Sequence, residues 1–213
     1  MTAQRAYGGV SAVDRRAARR DRLVEAALDI VGTDGTSAIT VTRLCKEAGL
    51  NERYFYESFR EREDVLVAAG DHVAGTLAAR ILERLAASPE DPRSRVTAAI
   101  GAAVDVLTED ERKGKLFLET SSSPVLGQRR VELAGGFVDL LLSQALATLH
   151  LEATPEVESF GRFAATHLFG GVLETISAWM RGALKISRDE LVERNVEMFL
   201  AVGESLPRVL PPA

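Results

Sequence analysis

Apolar positions along most of this chain recur at intervals of three and four, as they do on helices with one buried face, and almost no long segment alternates with period two. The first stripe, Leu23, Ala27, Ile30 and Val31, predicts a helix over about residues 14–34 that ends near Gly35. Later stripes predict helices at about 61–87, 93–109, 111–121, 125–149, 155–184 and 187–205, separated by Pro89 and Pro92, Gly114, Pro124 and Pro155. With two shorter helices between 37 and 61, the chain reads as all-α: three short helices, then six mostly longer ones, with no internal repeat. Residues 1–13 hold Gly8-Gly9 and no apolar pattern, and read as a flexible arm. The expected organisation is a three-helix unit over 14–62 and a larger antiparallel bundle of about six helices over 63–213. No flexible linker joins them, because the segment from Glu61 to Ala87 reads as one helix.

The most informative run is SAITVTRLCKEAGLNERYFYESFRERE, residues 37–63. Thr40 is placed to cap a helix whose Val41, Leu44, Cys45 and Ala48 share a face, with Ile39 and Leu44 as a hydrophobic staple. Gly49 breaks that helix, and Asn51 caps the next after a turn of about three residues, with Leu50 and Phe55 as a second staple. Helix, short glycine turn, helix is the arrangement a helix-turn-helix requires, the first helix bracing the second at a steep angle. Turning about 100° per residue from a buried Phe55 brings Phe59 within about 40° of it and sets Arg53 and Glu57 almost opposite. Tyr54 and Tyr56 flank that outward ridge. Arg53 is suited to a bidentate contact with guanine, and Glu57 to accept from cytosine, each giving about 1–3 kcal/mol of discrimination. The hydroxyls of Thr42, Tyr54 and Tyr56, with Arg62, are suited to holding phosphates. A plainer reading makes Arg53 and Glu57 an i, i+4 ion pair in solvent, contributing about 0.3 kcal/mol; their spacing leaves both readings open.

Residues 15–66 resemble the DNA-binding domain of the TetR family: a threonine-capped helix, the Ala48-Gly49 turn, a helix with an aromatic pair at Tyr56 and Phe59, and a basic residue at Arg62. The resemblance implies a three-helix DNA-binding domain and a homodimer formed through the last two long helices. It also implies release from DNA when a small molecule enters the C-terminal domain. The chain departs from the family where many members carry lysine in place of Glu52 and glycine in place of Arg53.

Charge refines this picture. The net charge is −5, yet residues 1–62 hold 11 basic against 9 acidic groups, and the remainder 15 against 22. Arg5, Arg15, Arg16, Arg19, Arg20 and Arg22 crowd the start, where they can meet phosphates or form a solvated face. No uncharged run approaches the roughly 18 residues of a membrane span, and no apolar core follows the N-terminal charges. With the lone Cys45, which reads as core rather than redox sensor, these features lead to an expected cytoplasmic location.

On the C-terminal helices, Phe160, Ala164, Leu168, Gly171 and Ala178 form one stripe and Leu191, Asn195, Met198 and Val202 another; each can face a twofold partner or its own core. Phe117, Phe137 and Trp179, with Glu119, Gln144 and His167, are candidates to line a small-molecule pocket, or are core residues. His72, His150 and His167 lack metal-site spacing, and no nucleophile elbow, phosphate loop or dinucleotide fingerprint occurs. The chain is therefore expected to be a regulator without enzyme activity, cofactor or metal, whose partners are double-stranded operator DNA, a small-molecule effector and a second copy of itself. The alternatives are a helical ligand-binding or enzymatic bundle that does not read DNA, and a protein-interaction module docking through the Arg53–Tyr56 surface.

Overall fold

The computed structural model describes residues 11–209, and among them every regular element is helical. Helix α1 spans Ala12–Asp34; a 3₁₀ turn follows at Thr36–Ala38, then α2 Val41–Ala48, α3 Glu52–Tyr56 and α4 Arg62–Ala86. The rest are α5 Pro92–Glu109, α6 Glu111–Glu119, α7 Pro124–Leu149, α8 Pro155–Met180 and α9 Arg188–Val209. Helix starts coincide with capping side chains: Thr40, Asn51, Asp91 and Thr154 each accept from an amide in the first turn, and Pro92 and Pro155 occupy the position that needs no N–H.

Two expectations shift locally. Of the supposed arm, residues 1–10 lie outside the described residues, while Ser11 already caps α1 through a reciprocal bond with Asp14. Helix α8 stops at Met180 rather than 184, because the backbone turns at Gly182 and the Trp179 indole N–H donates to the Ile186 carbonyl at 2.9 Å.

The chain forms two compact units, and they do not divide at residue 62. The first holds the chain up to Val73 together with Glu111–Arg129; the second holds Ala74–Asp110 and the chain from Arg130 onward. In the first unit α1 packs against α2, α3 and α6. Leu23, Leu28, Ile30, Ile39, Leu44, Phe55 and Leu116 are fully buried there. Helix α6 approaches α1 so closely that a Cβ on Gly32 would lie 2.7 Å from Cγ of Arg112. Polar ties complete the contact: Arg112 to Asp29 at 2.5 Å and Glu25 at 3.3 Å, the Lys115 ammonium to the Gly32 carbonyl, and the Thr36 hydroxyl to Glu119 at 2.7 Å. Each fully buried Leu, Ile or Phe contributes about 1.5–3 kcal/mol, whereas half-exposed ion pairs contribute about 0–1 kcal/mol, so apolar contact holds α6 and the charges set its register.

In the second unit α9 packs against α5 and α8, and Ile100, Val104, Leu107, Ile176, Leu191 and Val196 are buried. Arg93 bridges Glu193 and Glu197 at 2.6 and 2.5 Å, and Arg162 meets Asp139 at 2.7 Å.

By length and hydropathy α4 and α7 qualify as membrane spans, although neither holds an uncharged run of about 18 residues. Both carry ion pairs to other helices: Asp71 of α4 to Arg129 of α7 at 2.6 Å, Arg80 of α4 to Glu109 at 3.5 Å, and Asp139 of α7 to Arg162. Paired charges along their length suit helices of a globular bundle better than helices in hydrocarbon.

Candidate nucleic-acid interface

The α2–turn–α3 motif is built as the sequence implies. The Thr40 hydroxyl accepts from the Arg43 amide, and Gly49 ends α2 in the left-handed region at φ 60°, ψ 41°. Leu50 N–H then donates to the Cys45 carbonyl at 2.8 Å, and Asn51 Oδ1 receives the Tyr54 amide at 3.1 Å. From α1, the Arg22 guanidinium bonds the Ala48 and Gly49 carbonyls and so fastens the turn. Phe55 is fully buried, with its ring edge-on to Tyr56 at 5.2 Å and tilted against Phe59 at 6.0 Å. Cys45 is buried too; burial, and to a lesser degree Glu52, pushes its thiol pKa up, which suits a core residue rather than a reactive one.

This anchoring turns the opposite face of α3 outward. Arg53 is 85% exposed, and Tyr54 and Tyr56 show much of their rings. Glu57 is more constrained. Arg19 of α1 donates to its Oε2 at 3.1 Å, and Arg53 Nε lies 3.6 Å from its Oε1. The Arg19 guanidinium also stacks on the Tyr54 ring, 4.6 Å from its centroid. Thr42 donates its hydroxyl to Glu52 at 3.2 Å across the turn, which gives the carboxylate at the start of α3 a structural partner. Arg62 donates to the Ile39 carbonyl at 3.1 Å and pairs with Glu63 at 2.8 Å, leaving about half of its side chain exposed.

Several expected phosphate ligands on α1 have internal roles: Arg19 and Arg22 as described, and Arg20 over the Phe59 ring at 4.8 Å. Arg5 lies outside the described residues. A cleft of about 570 Å³ opens beside the motif between α1, the turn after α3 and α4. It is polar, with Arg16, Arg20 and Arg60 around it, and two of its carboxylates are engaged: Asp64 by the Arg60 and Glu61 amides, Asp71 by Arg129.

The six pocket candidates are divided between the two units. Phe117 is buried in the first unit, where Glu119 accepts from Thr36, because α6 belongs to that unit. In the second unit Phe137 stacks on Phe169 at 5.5 Å, Gln144 receives the Arg95 guanidinium, Trp179 ties down the turn after α8, and His167 is exposed.

The candidate dimer stripes divide between buried and exposed positions. Leu191 and Asn195 face inward: Leu191 is 1% exposed, and Asn195 donates to the Leu191 carbonyl at 2.8 Å and accepts from Thr175 at 3.1 Å. Phe160, Ala164, Leu168 and Val202 are half-buried, Gly171 is exposed, and Met198 is 65% exposed. Phe163, which the sequence reading passed over, is 71% exposed on α8. Its signal in the sequence is the uncharged row Phe163, Thr166, His167 and Gly170 at three- and four-residue spacing, running beside the Phe160, Ala164, Leu168 and Gly171 stripe.

Together, the short buttressed helix-turn-helix in the first unit and the helical bundle of the second define an all-α fold class in which a small N-terminal motif precedes a larger helical body. Comparison makes this more specific. No protein-family profile matches the chain. The HTH-type transcriptional regulator BetI of Rhizobium meliloti (strain 1021) is 33% identical over 82 residues, 38% of this chain and 40% of that protein. The chain therefore matches less than half the length of that relative. A TetR-family transcriptional regulator from Streptomyces coelicolor has a TM-score of 0.70 at 18% identity, covering 90% of this chain and 83% of that one. The transcriptional regulator FadR from Bacillus subtilis, solved in complex with stearoyl-CoA, has a TM-score of 0.62 at 21% identity, covering 90% and 99%. The chain has the TetR-family fold.

Proposed function

We propose that this chain is a ligand-responsive, sequence-specific DNA-binding regulator of transcription, acting in the cytoplasm as a homodimeric repressor that a small hydrophobic effector releases from a palindromic operator. The observation that carries the reading is the face of α3: Arg53, Tyr54 and Tyr56 stand outward on a helix anchored from behind by Phe55 and from the side by Arg22 and Asn51. Arg53 reads a base edge, while Tyr54, Tyr56, Thr42 and Arg62 hold phosphates. In that role Thr42 and Arg62 exchange their contacts with Glu52 and Glu63 for the DNA backbone.

Dimerisation is supported by Phe163 and Met198, large apolar side chains left exposed on α8 and α9, two helices that pack against each other. An acyl-chain effector is the first to test, because the FadR relative was solved with stearoyl-CoA. Release requires only that the effector favour one dimer conformation, and about 1–3 kcal/mol of coupling gives a useful response.

The experiment is selection of random duplex DNA by the purified chain, followed by binding at two salt concentrations. Enrichment of a palindrome, with affinity falling as salt rises, is the expected result. No enrichment at any salt overturns the reading in favour of a bundle that binds ligand without DNA.

A further inference from the structure

Glu57 sits on the outward ridge of α3 yet is held on both sides, by Arg19 through Oε2 at 3.1 Å and near Arg53 Nε through Oε1 at 3.6 Å. Its Oε2 is thus committed to Arg19 and its Oε1 faces Arg53. The second contact has an effect: Oε1 lies nearest the Nε of Arg53, so this pairing leaves to the two terminal nitrogens of that guanidinium the fork onto guanine O6 and N7. Arg19 belongs to the same chain of contacts. Its side chain is 22% exposed, it lies over the Tyr54 ring, and its Nε is buried with no hydrogen-bond partner among the described residues. An orphaned buried donor weakens Arg19 as a stabilising residue, so holding Glu57 is the role its geometry favours.

Resting on the DNA-binding reading above, we propose that Arg19 and Glu57 are positioning residues for specificity: Arg19 fixes Glu57, Glu57 orients Arg53, and Arg53 alone of the three reads a guanine. Residues on α1 thereby set base preference without touching a base.

The test uses the full chain and the operator recovered by selection, with the guanine identified as the position where Arg53→Ala relaxes preference. Replacing that guanine by 7-deazaguanine, which lacks the N7 acceptor, weakens wild-type binding about tenfold. In Arg19→Met and Glu57→Gln the same replacement changes binding by less than about threefold, while the dependence on salt stays as in the wild type. Arg19→Met keeps an apolar stem against Tyr54 and its melting temperature is unchanged, so a fold defect is separable from lost preference.

Three results overturn the proposal: an undiminished 7-deazaguanine effect in both variants; relaxed preference at a cytosine in Glu57→Gln, which makes Glu57 a reader; or a salt slope lowered by about one unit in Arg19→Met, which makes Arg19 a phosphate ligand. Failure of the wild-type chain to enrich any sequence removes the DNA-binding reading itself, and is seen before any variant is made.

Discussion

The turn at Gly49 decides how firmly α3 is held against α2. At φ 60°, ψ 41° a side chain with a Cβ is strained, which costs about 1–2 kcal/mol in Gly49→Ala. The new Cβ also falls 3.0 Å from Nη2 of Arg22, whose guanidinium bonds the Ala48 carbonyl. If the arginine tip moves without releasing that carbonyl, the total stays at about 1–2 kcal/mol. If the bond breaks, a charge-assisted contact of about 1.5–3 kcal/mol is added to the loss. Two further variants separate the terms. Gly49→Asn places its Cβ at the same point but tolerates the left-handed region, so the difference between Ala and Asn isolates the backbone strain. Gly49→Ala combined with Arg22→Met isolates the side-chain term as a coupling energy. The assay is urea unfolding at constant m, with the midpoint as readout. An alanine variant as stable as the asparagine variant refutes the backbone argument, and additive effects of Gly49→Ala and Arg22→Met refute the clash.

Other consequences follow from the same geometry. Arg62→Ala should lower the salt slope of DNA binding by about one unit and, through its lost bond to the Ile39 carbonyl, reduce stability by about 1 kcal/mol; both are read on one preparation by titration and melting. Phe163→Glu on the exposed face of α8 should give a monomer in sedimentation that still shows the wild-type helical content, whereas a dimer of unchanged strength places the interface elsewhere. The Arg93 hydrogen bond holds the Glu197 pKa below its ordinary value, and the Ser94 side chain does the same for Asp91. A depressed carboxylate stabilises the fold above its unfolded pKa and loses that contribution as pH falls through the lowered folded one. Stability should therefore decline on acidification below about pH 4, and in Arg93→Met that decline should be shallower in denaturation curves.

The secondary structure was readable wherever a side chain acts on its own backbone. Thr40, Asn51, Gly49, Pro92 and Pro155 fix helix ends within a few residues, so α2, α3, α5 and α8 begin where expected. Periodicity also told which residues share a face, but not what the face meets. Leu191 and Asn195 were joined to Met198 by spacing, yet the first two point into their own unit and the third to solvent. The outward ridge of α3 was legible because Phe55 fixes the rotation of the whole helix. The partner of Glu57 was not, since six arginines near the N-terminus look alike in sequence and only the packing of α1 against α3 selects Arg19. For the same reason α6 read as one more helix of the bundle, though Gly32, Asp29 and Glu25 had already shaped its seat on α1.

That seat has a practical consequence. The part of the molecule that carries the α2–α3 motif is stitched from two stretches of sequence, the second arriving almost forty residues after the first has ended. A fragment cut at residue 73 would leave α1 without the cover of α6, and would strand Glu25 and Asp29 without Arg112. The head is thus not a cassette. A chimera meant to exchange the α2–α3 motif would have to carry α6 along with α1 to α4, or replace only the outward residues of α3.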